Sequence, residues 1–409
     1  MVLTWSEKIL LFLTILFLPT QLGKHFWPQF SYIYSLRVDY LSPTLYFWDI
    51  LVMGLLSVWV LRKPEINKFA LNLFLFFLFT QALSLIGASN IEAGLIRLEQ
   101  YLLSGFFGVF IASQDFKNLR KKIYLPLTLA VFGEAILAIS QFIKGGTLGL
   151  WILGERTFTI STPGIAKFDF YGREFLRPYA TFPHPNVLAG FILIGICIMY
   201  QVLRGKNGRS KLVMIIGGLA VFLTMSRVVI LAGIASLLLT VKRKWFVWVI
   251  FIFLVASPIL FTRFSSLFNF DNLTLLRREE LIGSAWQIFL QHHIFGVGLN
   301  NFIPAQASDL AIGPSRFLQP VHNIFLLTLS ETGLIGLIGL VALIVFPISK
   351  LLRLHPTSYT LHPILPWLII LFLGMFDHYF LTLPQGYRLF FLVWGLSFPM
   401  LKYFRESHK

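Results

Sequence analysis

Apolar stretches of roughly membrane length recur from one end of this 409-residue chain to the other, and short clusters of lysine and arginine punctuate them. That alternation leaves few folds open. About 20 apolar residues span the roughly 30 Å hydrocarbon layer as a helix. Backbone in lipid must satisfy its own hydrogen bonds, which only helices and closed barrels do. The runs here are long and lack the two-residue alternation of barrel strands. With 56% hydrophobic and 13% charged residues, no stretch reads as a separate soluble domain. The expected fold is all-α, a single polytopic membrane domain over residues 1–409 with about 12 transmembrane helices. Their expected positions are 8–22, 45–61, 69–87, 95–114, 123–143, 187–203, 211–226, 228–241, 245–261, 322–348, 363–380 and 386–401.

Basic residues orient these helices. Arg62, Lys63 and Lys68 form one cluster, and Lys117, Arg120, Lys121 and Lys122 a second. Arg204, Lys206, Arg209 and Lys211 follow, then Lys242, Arg243 and Lys244, then Lys350 and Arg353, then Lys402, Arg405 and Lys409. Under the positive-inside rule these clusters share the cytoplasmic face, and both termini lie there. The net charge of +16 is then mostly topology, and nucleic-acid binding is excluded as its purpose. The run at 9–22 follows Lys8 like a signal peptide but lacks a small-residue cleavage site, so a retained first helix is expected. Cys197 is the only cysteine and sits in an apolar run, which excludes intrachain disulfides and cysteine-rich metal sites.

Residues 211–241 must cross twice to keep both flanking basic clusters inside, although each half rises only about 23 Å. A hairpin turning at Ser226–Arg227 meets that demand, because irregular backbone is tolerated where protein rather than lipid surrounds it. Two segments, 144–186 and 262–321, are too long for tight connections and are expected as external loops. Within the second, Asn272 is a plausible cap for an interfacial helix whose Leu276, Glu280, Ile282, Ala285, Trp286 and Phe289 form a mixed amphipathic surface. The glycines of Gly296-Val-Gly298 suit the turn that follows.

The same threading carries several charged and titratable residues to the external face. In Arg177-Pro-Tyr-Ala-Thr-Phe-Pro-His-Pro-Asn186 the prolines restrict the chain and Asn186 is placed to cap a helix. Arg177 offers a rigid donor fork suited to phosphate, or an interfacial anchor. His184 either hydrogen-bonds a substrate or stabilises its own turn. Arg227, in Thr224-Met-Ser-Arg227, lies between two apolar runs, an expensive place for a charge unless it is hydrated, paired or functional. Arg277 and Arg278 either alternate with Glu279 and Glu280 on a wet helix face or send one guanidinium into a site. His322 opens a long helix and has a suitable intrinsic pKa for proton transfer. Glu331 follows by nine residues, about 900° around an ideal helix, and so faces away from His322. Asp377-His378, at the end of the penultimate helix, is the rival acid–base pair.

In this order the motifs resemble the O-antigen ligase and Wzy-type polysaccharide polymerase superfamily, whose members include protein O-oligosaccharyltransferases. The resemblance rests on Arg177 to Asn186, Thr224 to Arg227, Arg278 to Phe302, and His322-Asn-Ile-Phe-Leu-Leu-Thr-Leu-Ser-Glu331-Thr-Gly-Leu-Ile-Gly336. The segment Asp377 to Arg388 is also similar to many members. The resemblance implies a GT-C-like, metal-independent, cofactor-free inverting glycosyltransferase in the bacterial cytoplasmic membrane, working on its periplasmic or extracellular side. Its donor would be an undecaprenyl-diphosphate-linked glycan and its acceptor a hydroxyl of a glycan, a lipid A-like glycan or a protein, with membrane lipids around it. Arg177, Arg227 and Arg278 (or Arg277) look like the diphosphate-binding arginines, and His322 like the residue that activates the acceptor. Polymerase and ligase are equally compatible, and a lipid-linked saccharide flippase is the alternative of another class.

Overall fold

A computed structural model describes residues 3–203, 208–240, 246–265, 273–310, 318–353 and 361–407. The chain is largely helical. Its helices are α1 (Trp5–Leu16), α2 (Phe47–Leu61), α3 (Lys68–Leu83), α4 (Ile91–Ala112), α5 (Phe116–Lys144), α6 (Pro185–Leu203), α7 (Gly208–Leu223) and α8 (Arg227–Thr240). They continue as α9 (Phe246–Ser265), α10 (Leu273–Gln291), α11 (Phe302–Leu310), α12 (Ile324–Leu352), α13 (Leu361–Gly374), α14 (Tyr379–Thr382) and α15 (Pro384–Ser407). Among the described residues, four helical segments are long and apolar enough to cross a membrane, and six shorter apolar helices accompany them. The architecture is consistent with a multi-pass membrane protein.

Helices run through the expected stretches among the described residues, but α1 ends at Leu16 and α13 at Gly374, so 17–22 and Asp377-His378 lie outside them. Lys117, Arg120, Lys121 and Lys122, read as a loop, lie on the opening turns of α5, since lysine and arginine are good helix formers. The stretch 322–348 starts instead at Ile324, because Asn323 caps α12 by accepting from the amides of Phe325 and Leu326 at 2.9 and 3.0 Å. His322 is therefore outside the helix. Residues 211–240 do form two helices, with the turn at 224–226. Arg204, Lys206, Lys242, Arg243, Lys244, Lys409 and the cap residue Asn272 lie outside the described residues.

The chain divides into two compact units. The first comprises Met1–Leu18, Gly23–Ile123 and Arg277–Lys409; the second comprises Pro19–Leu22 and Tyr124–Leu276.

In the first unit α12 packs on α3 and α15 on α4. Small residues make these approaches close: a Cβ on Gly339 would stand 1.9 Å from Thr80 Oγ1. Leu334, Ile338, Val341 and Val345, spaced at helical intervals, form the exposed apolar stripe of α12, as a lipid-facing side requires. Arg388 is fully buried, 3.4 Å from an Asp49 carboxylate oxygen and against the rings of Tyr46 and Trp48. Two short antiparallel pairs, β1 (Gly23–His25) with β4 (Thr44–Tyr46) and, between them in sequence, the hairpin of β2 (Tyr32–Ile33) and β3 (Leu36–Arg37), lie between α1 and α2. α12 is broken at Gly333, where φ is 62°. A Cβ there would lie 2.2 Å from the Ile294 carbonyl oxygen, so the kink needs glycine for both conformation and space.

In the second unit α6, α7, α8 and α9 pack beside one another. A further hairpin, β5 (Lys167–Phe170) with β6 (Arg173–Leu176), leads into the segment before α6. Buried side chains of α5 hold that segment. Gln141 accepts from the amides of Tyr179 and Ala180 at 2.9 and 2.7 Å, and Glu134 accepts from the amide and hydroxyl of Thr181 at 3.1 and 2.7 Å.

Candidate functional site

Arg177, His184 and Arg227 belong to the second unit; Arg277, Arg278, His322, Asp377 and His378 belong to the first. Arg177 follows β6 directly and is buried. Its Nε donates to the Thr224 carbonyl at 2.6 Å and its Nη2 to Asn186 Oδ1 at 2.8 Å. One guanidinium thus ties together two motifs 47 residues apart in sequence, and its planar fork suits that task better than an ammonium would. Asn186, expected as the cap of α6, lies within its first turn, and its Oδ1 accepts from Arg177. His184 takes the capping role, its Nδ1 accepting from the Asn186 amide at 3.1 Å.

The turn between α7 and α8 gathers more positive charge. Met225 has a φ of 50°, the Thr224 hydroxyl accepts from the Ser226 amide at 3.3 Å, and Arg227 begins α8. Arg263, near the end of α9, donates from Nε to the Met225 carbonyl at 2.9 Å and feels the charge of Arg227. Sequence reasoning passed over Arg263, although it carries the same signal as Arg227, a cation bounding an apolar run.

In the first unit Arg278, His322, Asp377 and His378 come together. The rings of His322 and His378 are edge to face with centroids 5.1 Å apart. Asp377 Oδ1 accepts from the His378 amide at 2.9 Å, and Arg278 Nη1 donates to the Phe376 carbonyl at 3.5 Å. Arg278 thus reaches the 376–378 segment, and Arg277, next to it in sequence, is likewise half-buried. His378 is buried, and its Nδ1 stands 2.6 Å from Thr382 Oγ1. His322 Nδ1 is buried and makes no hydrogen bond among the described residues. Burial lowers the pKa of His322 below the ordinary imidazole value; Asp377 works against that shift and Arg278 adds to it. A neutral imidazole with an unspent nitrogen is a proton acceptor in waiting. His322, Asp377 and His378 also each turn a ligating atom to within 4.8 Å of the others, so these three could hold a metal ion.

Long-range contacts hold this cluster. Arg97, buried on α4, donates to the Thr382 carbonyl at 2.7 Å and to Asn300 Oδ1 at 3.3 Å. Asn300 in turn donates to the Tyr40 carbonyl at 3.0 Å, and the Tyr40 ring lies 5.6 Å from His378. The stretch after α10 turns through Gly296 and Gly298, both at positive φ, and Gly298 donates to the Glu331 carbonyl at 2.8 Å. The Glu331 side chain accepts from the Phe302 amide at 3.3 Å, which makes it an internal polar contact. The packed stripe of α10 is Leu281, Ala285 and Ile288, whereas Leu276, Ile282 and Trp286 of the expected mixed surface stay exposed.

No curated protein matches this chain. Residues 212–341, which run from α7 into α12 and include Arg227, Arg278 and His322, match the family model Wzy_C, described as O-antigen ligase, and that part of the chain takes its family assignment from it.

Proposed function

We propose that this protein transfers or polymerises undecaprenyl-diphosphate-linked glycan units at the external face of a bacterial cytoplasmic membrane, as a GT-C-like enzyme of about twelve spans. The observation that carries the reading is His322, its buried Nδ1 without a hydrogen bond among the described residues, beside Asp377, His378 and Arg278, within or adjoining the stretch that matches the O-antigen ligase model. In the reaction an acceptor hydroxyl oxygen attacks the anomeric carbon of the donor sugar. The new glycosidic bond forms as the bond to the diphosphate oxygen breaks, the hydroxyl proton passes to His322, and the departing electron pair stays on the lipid diphosphate. Direct displacement inverts the anomeric centre.

The roles are assigned residue by residue. His322 is the base, because burial keeps it neutral and its Nδ1 is unspent. Arg278, in the first unit with His322, stabilises diphosphate charge, which grows as the bond breaks, so its contribution is larger in the transition state than in the ground state. In the second unit Arg177 and Arg227 are the diphosphate-binding arginines that the motif resemblance suggests, Arg177 also bracing the turn that carries Arg227, and His184 supports the segment. Reaction chemistry of this kind needs no metal, since arginines neutralise the leaving group.

The test is product analysis with purified protein, a matched lipid-linked glycan and candidate acceptors, with and without chelator. A ladder of lipid-linked repeats identifies a polymerase, and a single addition to a lipid A-like glycan or a protein identifies a ligase. Transport of the lipid-linked glycan with no new glycosidic bond would replace this reading with a flippase.

A further inference from the structure

The first unit carries a second concave feature that the proposed chemistry does not use. It is an open cleft of about 410 Å³, within the roughly 300–1,000 Å³ of small-molecule sites, lined by Phe30, Tyr32, Tyr34, Ser89, Asn90 and Glu92 among others. Hydrogen bonds hold its walls. The β2–β3 hairpin turns through Tyr34 and Ser35, both at positive φ, and the Tyr34 hydroxyl donates to the Ala307 carbonyl on α11. Asn90 caps α4 by accepting from the Ala93 amide at 3.0 Å and donates to the Phe30 carbonyl at 2.9 Å, while the Ser89 hydroxyl donates to Asn301 at 3.2 Å. Beneath the cleft, Phe30 and Ile33 pack on the apolar cluster that contains Val321, the neighbour of His322. The cleft and the proposed base thus rest on one core.

The lining has a definite chemical character. Aromatic rings stand beside a carboxylate, Glu92, which is exposed and makes no hydrogen bond or ion pair among the described residues. A lipid chain would leave that carboxylate unpaired against hydrocarbon, and a diphosphate would be repelled by it. A neutral sugar ring fits both parts: its C–H face covers an aromatic ring, and its hydroxyls donate to the carboxylate in charge-assisted bonds. The geometry points to a saccharide-binding subsite in this cleft, which holds sugar residues of the glycan away from the anomeric centre. This inference rests on the glycan reading above and adds the place where the chain reads sugar.

Full-length protein in nanodiscs is titrated with the soluble glycan released by mild acid from the host's own lipid-diphosphate pool, followed by saturation-transfer NMR. Glu92→Gln, an exposed isosteric change, and Tyr32→Ala are each expected to weaken binding about tenfold, the loss expected from one charge-assisted bond or one stacking face. In turnover, a rise in KM for the lipid-linked donor alone assigns the subsite to the donor glycan, and a rise for the acceptor alone assigns it to the acceptor. Glycan that fails to bind wild-type protein, or binds Glu92→Gln as well as wild type, overturns the subsite. Transfer with both KM values unchanged in the variants also overturns it while leaving the reaction intact. Glu92-dependent binding without any transfer sustains the subsite and removes the reaction.

Discussion

Arg177→Lys separates bracing from ligand binding more cleanly than any deletion. The charge-assisted hydrogen bonds of the arginine include those to the Thr224 carbonyl at 2.6 Å and Asn186 Oδ1 at 2.8 Å. Lysine keeps the charge but brings one nitrogen without the fork, so at least one bond is lost. A hydrogen bond to a charged group contributes about 1.5–3 kcal/mol, and Thr224 is fully buried, so water cannot substitute there. The expected loss is about 2 kcal/mol for Arg177→Lys and about 3–6 kcal/mol for Arg177→Ala. For a unit of this size the lysine variant should melt roughly 4–8 °C lower, by intrinsic fluorescence in detergent. A cycle with Asn186→Ala should be non-additive, because the two residues share one bond. An unchanged melting temperature together with lost donor binding would refute the bracing argument and leave Arg177 as a ligand contact alone.

Other expectations follow from the same geometry. Burial lowers the His322 pKa, so the acid limb of the kcat/KM profile should fall below the ordinary value of about 6.5. Asp377→Asn removes a charge that raises that pKa and should move the limb further acid; a shift to higher pH would contradict the assignment. Folding is linked in the same sense. A histidine whose folded pKa is lowered contributes in full above about pH 6.5, and its contribution is lost as pH falls toward the folded value, a loss readable in melting temperature against pH. Gly333→Ala places a Cβ 2.2 Å from a carbonyl oxygen at a φ of 62° and should destabilise the first unit by about 3 kcal/mol or more, seen in thermal unfolding. Chelators should leave transfer unchanged, whereas added Zn²⁺ should inhibit by occupying His322, Asp377 and His378, and His378→Ala should relieve that inhibition in a dose-response assay.

Helix positions were legible because lipid-length apolar runs and basic clusters report a single strong constraint. The turn between α7 and α8 was legible too, since the positive-inside rule asks for a break between the basic clusters that flank 211–241. What stayed hidden depends on contacts distant in sequence. Nothing near Arg97 announces that it bonds Thr382, 285 residues away, and Tyr40 gives no local sign of its place against His378. The break in α12 was invisible because the Gly333 kink follows from the close approach of Ile294, not from its own flanks. The candidate site was legible as residue types, with Arg278, His322, Asp377 and His378 named in advance. The division of labour between His184 and Asn186 was not, because either side chain can cap a helix and only the fold decides which one Arg177 recruits.

The central claim is that His322 takes the acceptor's proton. Its most direct test is single-turnover transfer by His322→Ala and His378→Ala, with donor affinity measured on the same preparations. The account predicts that His322→Ala binds donor normally and loses about 10²–10⁴-fold in the transfer step, the usual contribution of a positioned base. His378→Ala, which removes a ring neighbour and the partner of Thr382, should lose far less. Near-normal transfer by a folded His322→Ala protein, with the large loss in His378→Ala instead, would contradict the assignment and move the base to His378.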